Sequence, residues 1–296
     1  MSAITVTLPD GSTRQLPAGA SGADLATDIG PGLAKAAVAV SVDGVEQDLD
    51  RPLDDGISVS IVTADSEVGL HTLRHSTAHL LAQAVLDLWP GSTYAIGPPI
   101  ENGFYYDFEL PEGSTFTDED LTAIEARMKE IIAAGQPFER HEVGASEAMG
   151  LFSDHRYKRE IIERVASGDQ DNELAGEATD GDRISYYGNG GSFIDLCTGP
   201  HVPSTGRLGH FALQKVAGAY WRGDERQPML QRIYGTAWAT KADLTNYLER
   251  LAEAEKRDHR RLAAELDLVS WPESLGLGLA VWPVSYTHLR AHETDS

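Results

Sequence analysis

The chain has 296 residues, with 24 Lys and Arg against 46 Asp and Glu for a formal net charge of −22, and it is 41% hydrophobic and 24% charged. That balance excludes a largely disordered chain, and no run of eighteen apolar residues is present to span a bilayer. Met1 to Gly11 holds neither a basic leader nor an apolar core, so neither a secretory signal nor membrane association is expected, and the single cysteine, Cys197, fits a reducing, cytoplasmic setting.

Residues 1–70 hold three basic and eleven acidic side chains. Ile4 to Leu8 alternates, Pro9-Asp-Gly-Ser12 is turn chemistry and Thr13 to Leu16 is extended again, which predicts a hairpin. Ser21 can cap a helix running to Ile29, where Gly30-Pro31-Gly32 ends it. Ala37 to Val42, the Asp43-Gly44 turn and Val45 onward predict a second hairpin, and Ile57 to Val62 a closing strand. Strand, strand, helix, strand, strand, strand over residues 1–62 is the order of a small β-grasp-like module, a docking unit in which no nucleophile or base pair stands out.

From Leu70 the apolar period becomes helical, with Leu73, Leu80, Leu81, Ala84, Val85 and Leu88 on one side, and Trp89-Pro90-Gly91 stops it. Thr93 to Ile100 and Phe104 to Phe108 read as extended, and Thr117-Asp-Glu-Asp120 supplies caps for a helix that Gly135 ends near Ala134. Short helices over Glu147–Phe152 and Tyr157–Ala166 follow, then paired strands between Ile184 and Leu196 around Gly188-Asn-Gly-Gly191, which lacks the Lys-Ser/Thr of a phosphate loop. The class expected for the whole is α+β. Residues 205–261 reverse the charge balance, with eleven basic against seven acidic side chains, so one stretch of an acidic chain can face an anion. Residues 241–270 read as one long charged helix with Leu244, Leu248, Leu251, Leu262 and Leu266 on its apolar side.

Two clusters carry chemistry. His75 and His79 are four apart on a predicted helix and share a face, and Cys197 and His201 are four apart across a Gly-Pro turn. Three His and one Cys are the ligand set of a tetrahedral zinc site or the donor set of a hydrolytic pocket. A histidine pair on a helix is by itself more often surface or packing, and the presence of the only cysteine in the second cluster tips the balance toward function. Tyr105, Tyr106 and Trp221 are read as core, Lys158 and Arg159 as solvated charges, and nothing local demands phosphate contacts from Arg222 or Arg232.

Taken in order, His75-Ser-Thr-Ala-His79, Ala95 to Asp107, Asp195-Leu-Cys-Thr-Gly-Pro-His201, Ala219-Tyr-Trp-Arg-Gly-Asp224, Leu230 to Trp238 and Lys256-Arg-Asp-His259 resemble the motifs of bacterial threonyl-tRNA synthetases, over residues 1 to about 282. The resemblance implies a TGS domain at 1–62, an editing domain at 66–240, a linker helix at 241–270 and the start of a truncated class II catalytic domain at 271–282. Residues 283–296 match nothing in the family and are expected to be a non-native tail, so His288 and His292 receive no metal assignment. One departure is visible: Thr198 stands where many family members have Arg.

By resemblance, the full enzyme joins threonine to its tRNA with ATP, and its ATP, Mg and Zn belong to the catalytic domain beyond this piece, from which no aminoacylation is expected. The editing domain hydrolyses mischarged seryl-tRNA. Such a site is needed because a missing methyl is worth only about 1–3 kcal/mol of discrimination. The resemblance implies His75, His79, Lys158, Cys197 and His201 as catalytic residues, with His75 and Lys158 positioning water and stabilising charge and Cys197 shaping the pocket. It implies Tyr106 and Asp195 as holders of the adenosine or the seryl amine. Editing requires no cofactor in this family, whereas the related alanyl-tRNA editing domain holds zinc on a similar set, so zinc on His75, His79, Cys197 and His201 stays open. The expected partner is the aminoacylated 3′ end of tRNA, with a monomer for this piece and a homodimer for the full enzyme. The alternatives are a catalytically silent tRNA-binding piece and an unrelated zinc-dependent hydrolase.

Overall fold

The computed structural model describes residues 3–111, 114–167, 179–180, 183–190, 193–270, 280–284, 286 and 288. Most of the expected domain start at 271–282 and of the tail at 283–296 lies outside the described residues, as does Gly191. The chain forms two compact units, Met1–Leu244 and Thr245–Ser296. No helix of the described residues is long and apolar enough to cross a membrane.

The first unit opens with β1 (Ala3–Thr7) and β2 (Thr13–Pro17), antiparallel with Ala3 opposite Pro17 and Thr7 opposite Thr13. Asp10 closes their turn by accepting from the Ser12 amide at 2.9 Å. Helix α1 (Gly22–Ile29) begins at Ser21, which forms a capping box with Asp24. Gly30-Pro31-Gly32, expected only to stop that helix, also starts α2 (Pro31–Ala36), with Pro31 in the first turn where its missing N–H costs nothing. Strands β3 (Ala37–Val42), β4 (Val45–Gln47) and β5 (Val59–Thr63) form a sheet with β3 in the middle, and a parallel bridge between Thr7 and Ser58 ties it to β1. Val6, Leu16, Leu25, Ala26, Val40, Leu49 and Val59 fill the core of this β-grasp module.

Helix α3 (Glu67–Leu88) is capped by Ser66, whose Oγ accepts from the Gly69 amide at 3.0 Å. Its burial is not confined to one side: Ser76 to Val85 are all buried, because β3, β8, β14 and α4 pack around it, and only Leu88 of the expected apolar set is exposed. The expected extended segment 93–100 is two short strands, β6 (Thr93–Tyr94) and β7 (Pro99–Ile100), both antiparallel to β8 (Gly103–Glu109). Helix α4 (Asp118–Ala134) has the expected Thr117–Asp120 capping box and ends on Gly135 at φ 62°. Next come β9 (Phe138–Val143), α5 (Ala145–Leu151), α6 (Arg156–Ala166), β10 (Thr179–Asp180), β11 (Arg183–Asn189) and β12 (Phe193–Leu196). Strand β11 pairs with β9 and with β12, setting Tyr187 opposite both Arg140 and Asp195.

Sequence patterning missed β9 and also the longest hairpin, β13 (Phe211–Tyr220) with β14 (Met229–Ala237), which continues the sheet in the order β13-β14-β8-β6. Arg207 binds the carbonyls of Ala34 and Lys35 at the end of α2, tying the β-grasp module to this second half. The helix expected over 241–270 is interrupted. It forms α7 (Lys241–Lys256) and α8 (His259–Glu265), and the Asp258 carbonyl between them accepts from the Leu262 amide at 2.9 Å, placing an N-cap residue type where a new helix starts.

Candidate active site

Four separated segments build the site. Helix α3 supplies His75 and His79, whose rings meet edge to face at 5.2 Å. Strand β12 supplies Asp195, and the turn after it supplies Cys197 and His201. Strand β8 supplies Tyr106, and the first turn of α6 supplies Lys158. The α6 face Tyr157, Lys158, Ile161, Ile162 is buried, at i and i+4 spacing, so Lys158 is carried inward by its apolar neighbours. The residue-level expectation of a solvated Lys158 is therefore corrected. Arg159, one step around the helix, is the exposed one, with its side chain 47% accessible.

At the floor of the site Lys158 Nζ lies 2.5 Å from Asp195 Oδ1, with both side chains almost fully buried. The Tyr106 hydroxyl donates to Asp195 Oδ2 and accepts from Lys158 Nζ at 3.2 Å. His79 Nε2 stands 3.5 Å from the same Oδ2, and its Nδ1 is buried with no hydrogen-bond partner among the described residues. Lys158 Nζ also lies over the Tyr94 ring, 5.0 Å from its centroid. Asp195 is thus met by a cation, a phenol and an imidazole, partners that offset the cost of burying its carboxyl group.

Above this network Cys197 Sγ contacts His75 Nε2 at 3.2 Å and His201 Nε2 at 3.3 Å, and accepts the Gly199 amide at 3.1 Å. Ser76 Oγ lies 3.0 Å from His201 Nδ1, donates to Thr72 O at 2.8 Å and accepts from the Val202 amide at 3.1 Å. Its one proton being given to Thr72, His201 Nδ1 is the donor that satisfies every contact, which leaves the Nε2 lone pair facing Cys197. Burial pushes all three histidines down, His79 to about 3 with the Lys158 charge adding to it, and His75 and His201 well below the usual range with their neighbouring imidazoles adding to it. At neutral pH all three imidazoles are uncharged and each keeps one nitrogen lone pair.

The donor atoms of His75, His79, Cys197 and His201 all lie within 4.8 Å of one another, near the roughly 3.3–3.8 Å separations that zinc–ligand distances imply for a tetrahedron. The neutral imidazoles, the adjacent thiol and the orphaned Nδ1 of His79 fit a metal ion.

Gly97 of the Ala95–Asp107 block explains how Tyr106 reaches the carboxylate. A Cβ at Gly97 would lie 2.0 Å from the Tyr106 ring. Gly97→Ala is expected to cost about 1–3 kcal/mol by forcing that ring aside, measured as a lowered urea midpoint. Trp221 is core as expected, with its Nε1 donating to Glu160 at 2.9 Å. Arg222 pairs with Glu160 and Arg232 pairs with Asp107 at 2.7 and 2.8 Å, so both are engaged within the fold.

Several residues of the site gave no signal in the sequence. Ser76 sits between the two helical histidines and anchors His201. Phe138 stacks on the His201 ring at 4.8 Å with an interplanar angle of 8°, and Tyr187 meets it edge-on at 4.5 Å. His155, whose pKa is lowered by burial and then by Lys158, packs 4.7 Å from Tyr94.

Comparison with known proteins matches residues 4–63 to the TGS domain and residues 184–234 to the threonyl and alanyl tRNA synthetase second additional domain. Threonine–tRNA ligase of Acidithiobacillus ferrooxidans is 53% identical over 279 residues, 94% of this chain and 41% of that protein. The threonine–tRNA ligase of Pelobacter propionicus is 51% identical over 95% of this chain and 42% of its own length, and that of Rubrobacter xylanophilus 50% identical over 94% and 41%. The chain therefore spans about two fifths of the length of the relatives it matches. With its α+β architecture, its β-grasp TGS domain and its buried His, Cys, Lys and Asp cluster, the chain is a homologue of the threonine–tRNA ligases that carries their TGS and second additional domains.

Proposed function

We propose that this chain carries an editing site that hydrolyses seryl esters on the 3′ end of tRNA specific for threonine, within a protein whose overall activity is ATP-dependent ligation of threonine to that tRNA. The observation that carries the reading is the buried Lys158–Asp195–Tyr106 network beneath His75, Cys197 and His201. An ester hydrolase needs a held water, donors for the developing oxyanion and a fixed site for the substrate's charge.

His75, the half-buried member of the cluster, orients the attacking water. Lys158 is the cation nearest the reacting ester and stabilises the oxyanion. Tyr106 and Asp195 hold the adenosine or the seryl ammonium, the carboxylate exchanging part of its pairing with Lys158 for the incoming cation. His79, at a pKa of about 3, is too weak a base to remove a proton at neutral pH and serves to hold Asp195. Cys197 and His201 wall the pocket against the extra methyl of threonine. No acyl-enzyme is required. Zinc, if bound, would be held by His75, His79, Cys197 and His201 and would supply Lewis acidity toward a water or carbonyl oxygen. The reading places the protein in the cytoplasm with tRNA as its partner and this chain as a monomer.

The full chain, incubated with seryl-tRNA and threonyl-tRNA specific for threonine, is expected to release serine preferentially. His75→Ala is expected to lower that rate by about a hundredfold or more, the scale of losing one positioned catalytic group, and Cys197→Ala to erode the preference for the serine ester by opening the wall against the threonine methyl. Equal rates on the two esters, or rates untouched by both substitutions, would sink the reading. Metal analysis of the purified chain separates the zinc-bound from the metal-free form of the site.

A further inference from the structure

We infer that Asp48, a residue of the TGS domain, is a positioning residue of the editing site, which makes that site a composite of both domains. The inference rests, for its effect on activity, on the editing function proposed above.

Asp48 follows β4 and turns its carboxylate away from its own domain. Oδ1 accepts the backbone N–H of His201 at 2.9 Å, and Oδ2 accepts the hydroxyl of Tyr187 at 2.6 Å. The first bond clamps the end of the turn Cys197-Thr-Gly-Pro-His201, whose two ends carry the thiol and the imidazole. The second fixes Tyr187, whose ring lies edge-on to the His201 ring and whose hydroxyl fills the place where a side chain on Gly199 would begin, 2.1 Å from that Cβ position. Gly199 stands at φ 82°, so glycine is needed there for both the backbone and the phenol.

The contacts on the His201 ring come from the second domain, among them Ser76 on Nδ1, Cys197 on Nε2, Phe138 on one ring face and Tyr187 on its edge. Those groups fix the ring about its own bonds. Ser76 also takes the Val202 amide one residue further on, and Asp48 is the group that takes the amide of His201 itself. A shift of the turn by about 1 Å would move Cys197 and His201 together against His75, and displacements of that size cost up to about a hundredfold in rate.

The geometry also makes the residue testable. Asp48 lines an open cavity of about 410 Å³ shared with Arg51, Phe138, Arg140, Glu142 and His201. A shorter side chain at position 48 therefore enlarges a space already open rather than collapsing a packed core.

The test uses the full chain and the variants Asp48→Ala, Asp48→Asn and Tyr187→Phe, with seryl-tRNA as the probe for hydrolysis and amide hydrogen exchange at His201 as the structural readout. For Asp48→Ala the expected result is a drop in kcat of about tenfold or more with KM within twofold, and loss of protection at the His201 amide. Asp48→Asn is expected to restore much of both, because its side-chain oxygen still accepts that amide. Tyr187→Phe removes one ligand of the carboxylate and is expected to fall between Asp48→Asn and Asp48→Ala. Wild-type kcat in folded Asp48→Ala, a loss that only follows the folded fraction, or unchanged His201 protection would overturn the inference. A wild-type chain that leaves seryl-tRNA intact would instead overturn the editing function, and the exchange measurement would still decide the positioning role of Asp48.

Discussion

Lys158→Met is expected to destabilise the chain by about 3–5 kcal/mol, the cost of leaving one member of a buried ion pair without its partner. Asp195 is 1% exposed and Lys158 2% exposed, so water cannot take over the solvation of the carboxylate left behind. Tyr106 and His79 remain as neighbours, and neither carries the charge that Lys158 brings. The double variant Lys158→Met with Asp195→Asn is expected to recover most of that loss, because neither side chain then carries a charge and the amide oxygen of the isosteric Asn can still accept from Tyr106. Hydrolysis of seryl-tRNA is expected to stay abolished in the double variant, separating the contribution of the pair to stability from its contribution to chemistry. Urea unfolding of the two single variants and the double variant forms a complete cycle. Single variants within about 1 kcal/mol of wild type would show that the pair is solvated in solution and would remove the electrostatic basis of the site.

Stability is expected to fall as the pH drops from about 6.5 toward 3. A buried histidine whose pKa is about 3 in the folded chain and 6.5 when unfolded binds more proton in the unfolded state throughout that interval. Stability therefore rises with pH across it, is fully present above about 6.5 and is gone below about 3. The span of His79 alone corresponds to about 5 kcal/mol at about 1.4 kcal/mol per pKa unit. His75 and His201 are shifted in the same direction by burial. Asp48 acts oppositely: burial raises its pKa, so its contribution is present at low pH and lost as pH rises through the folded value. The discriminating measurement is the slope of unfolding free energy against pH in wild type and in His79→Gln. A flatter slope in the variant between pH 6.5 and 4 is the expected result, and equal slopes would mean that His79 is not held neutral.

The first domain was largely legible because its signals are local. Alternation at Ile4–Leu8, the Asp43-Gly44 turn and the Ser21 cap each act within a few residues, as does the Thr117 cap in the second domain. The pairs His75–His79 and Cys197–His201 were legible for the same reason, since four-residue spacing is a local fact. What the residues alone did not show is that the pairs converge. That depends on α3 being wrapped on several sides, and the apolar run of α3 announces a helix without saying how many neighbours it will have. Lys158 looked like any helix-start cation, and only the resemblance singled it out, since its burial depends on Asp195 arriving from thirty-seven positions later. Strands β13 and β14 escaped because Lys215, Gln231 and Arg232 interrupt the alternation: Arg232 is accommodated by its pair with Asp107 of β8, Gln231 by accepting the Phe116 amide, and Lys215 lies exposed over the Tyr234 ring. The expected continuous helix at 241–270 breaks at 257–258, where Asp258, a residue type common at helix starts, precedes α8.

The packing beneath α3 bears on how the chain can be divided. Val38, Ala39 and Val62 of the TGS domain belong to the same apolar cluster as Leu80, Tyr106 and Phe193 of the second domain. Ser66, the cap of α3, donates its hydroxyl to Thr63 at the end of β5, so the two domains meet within a single helical turn rather than across a tether. The two domains are therefore expected to melt as one unit. Cutting the chain at the sequence border would bare a greasy face on each half, and the second domain prepared that way would fail for want of its neighbour rather than for want of its own side chains.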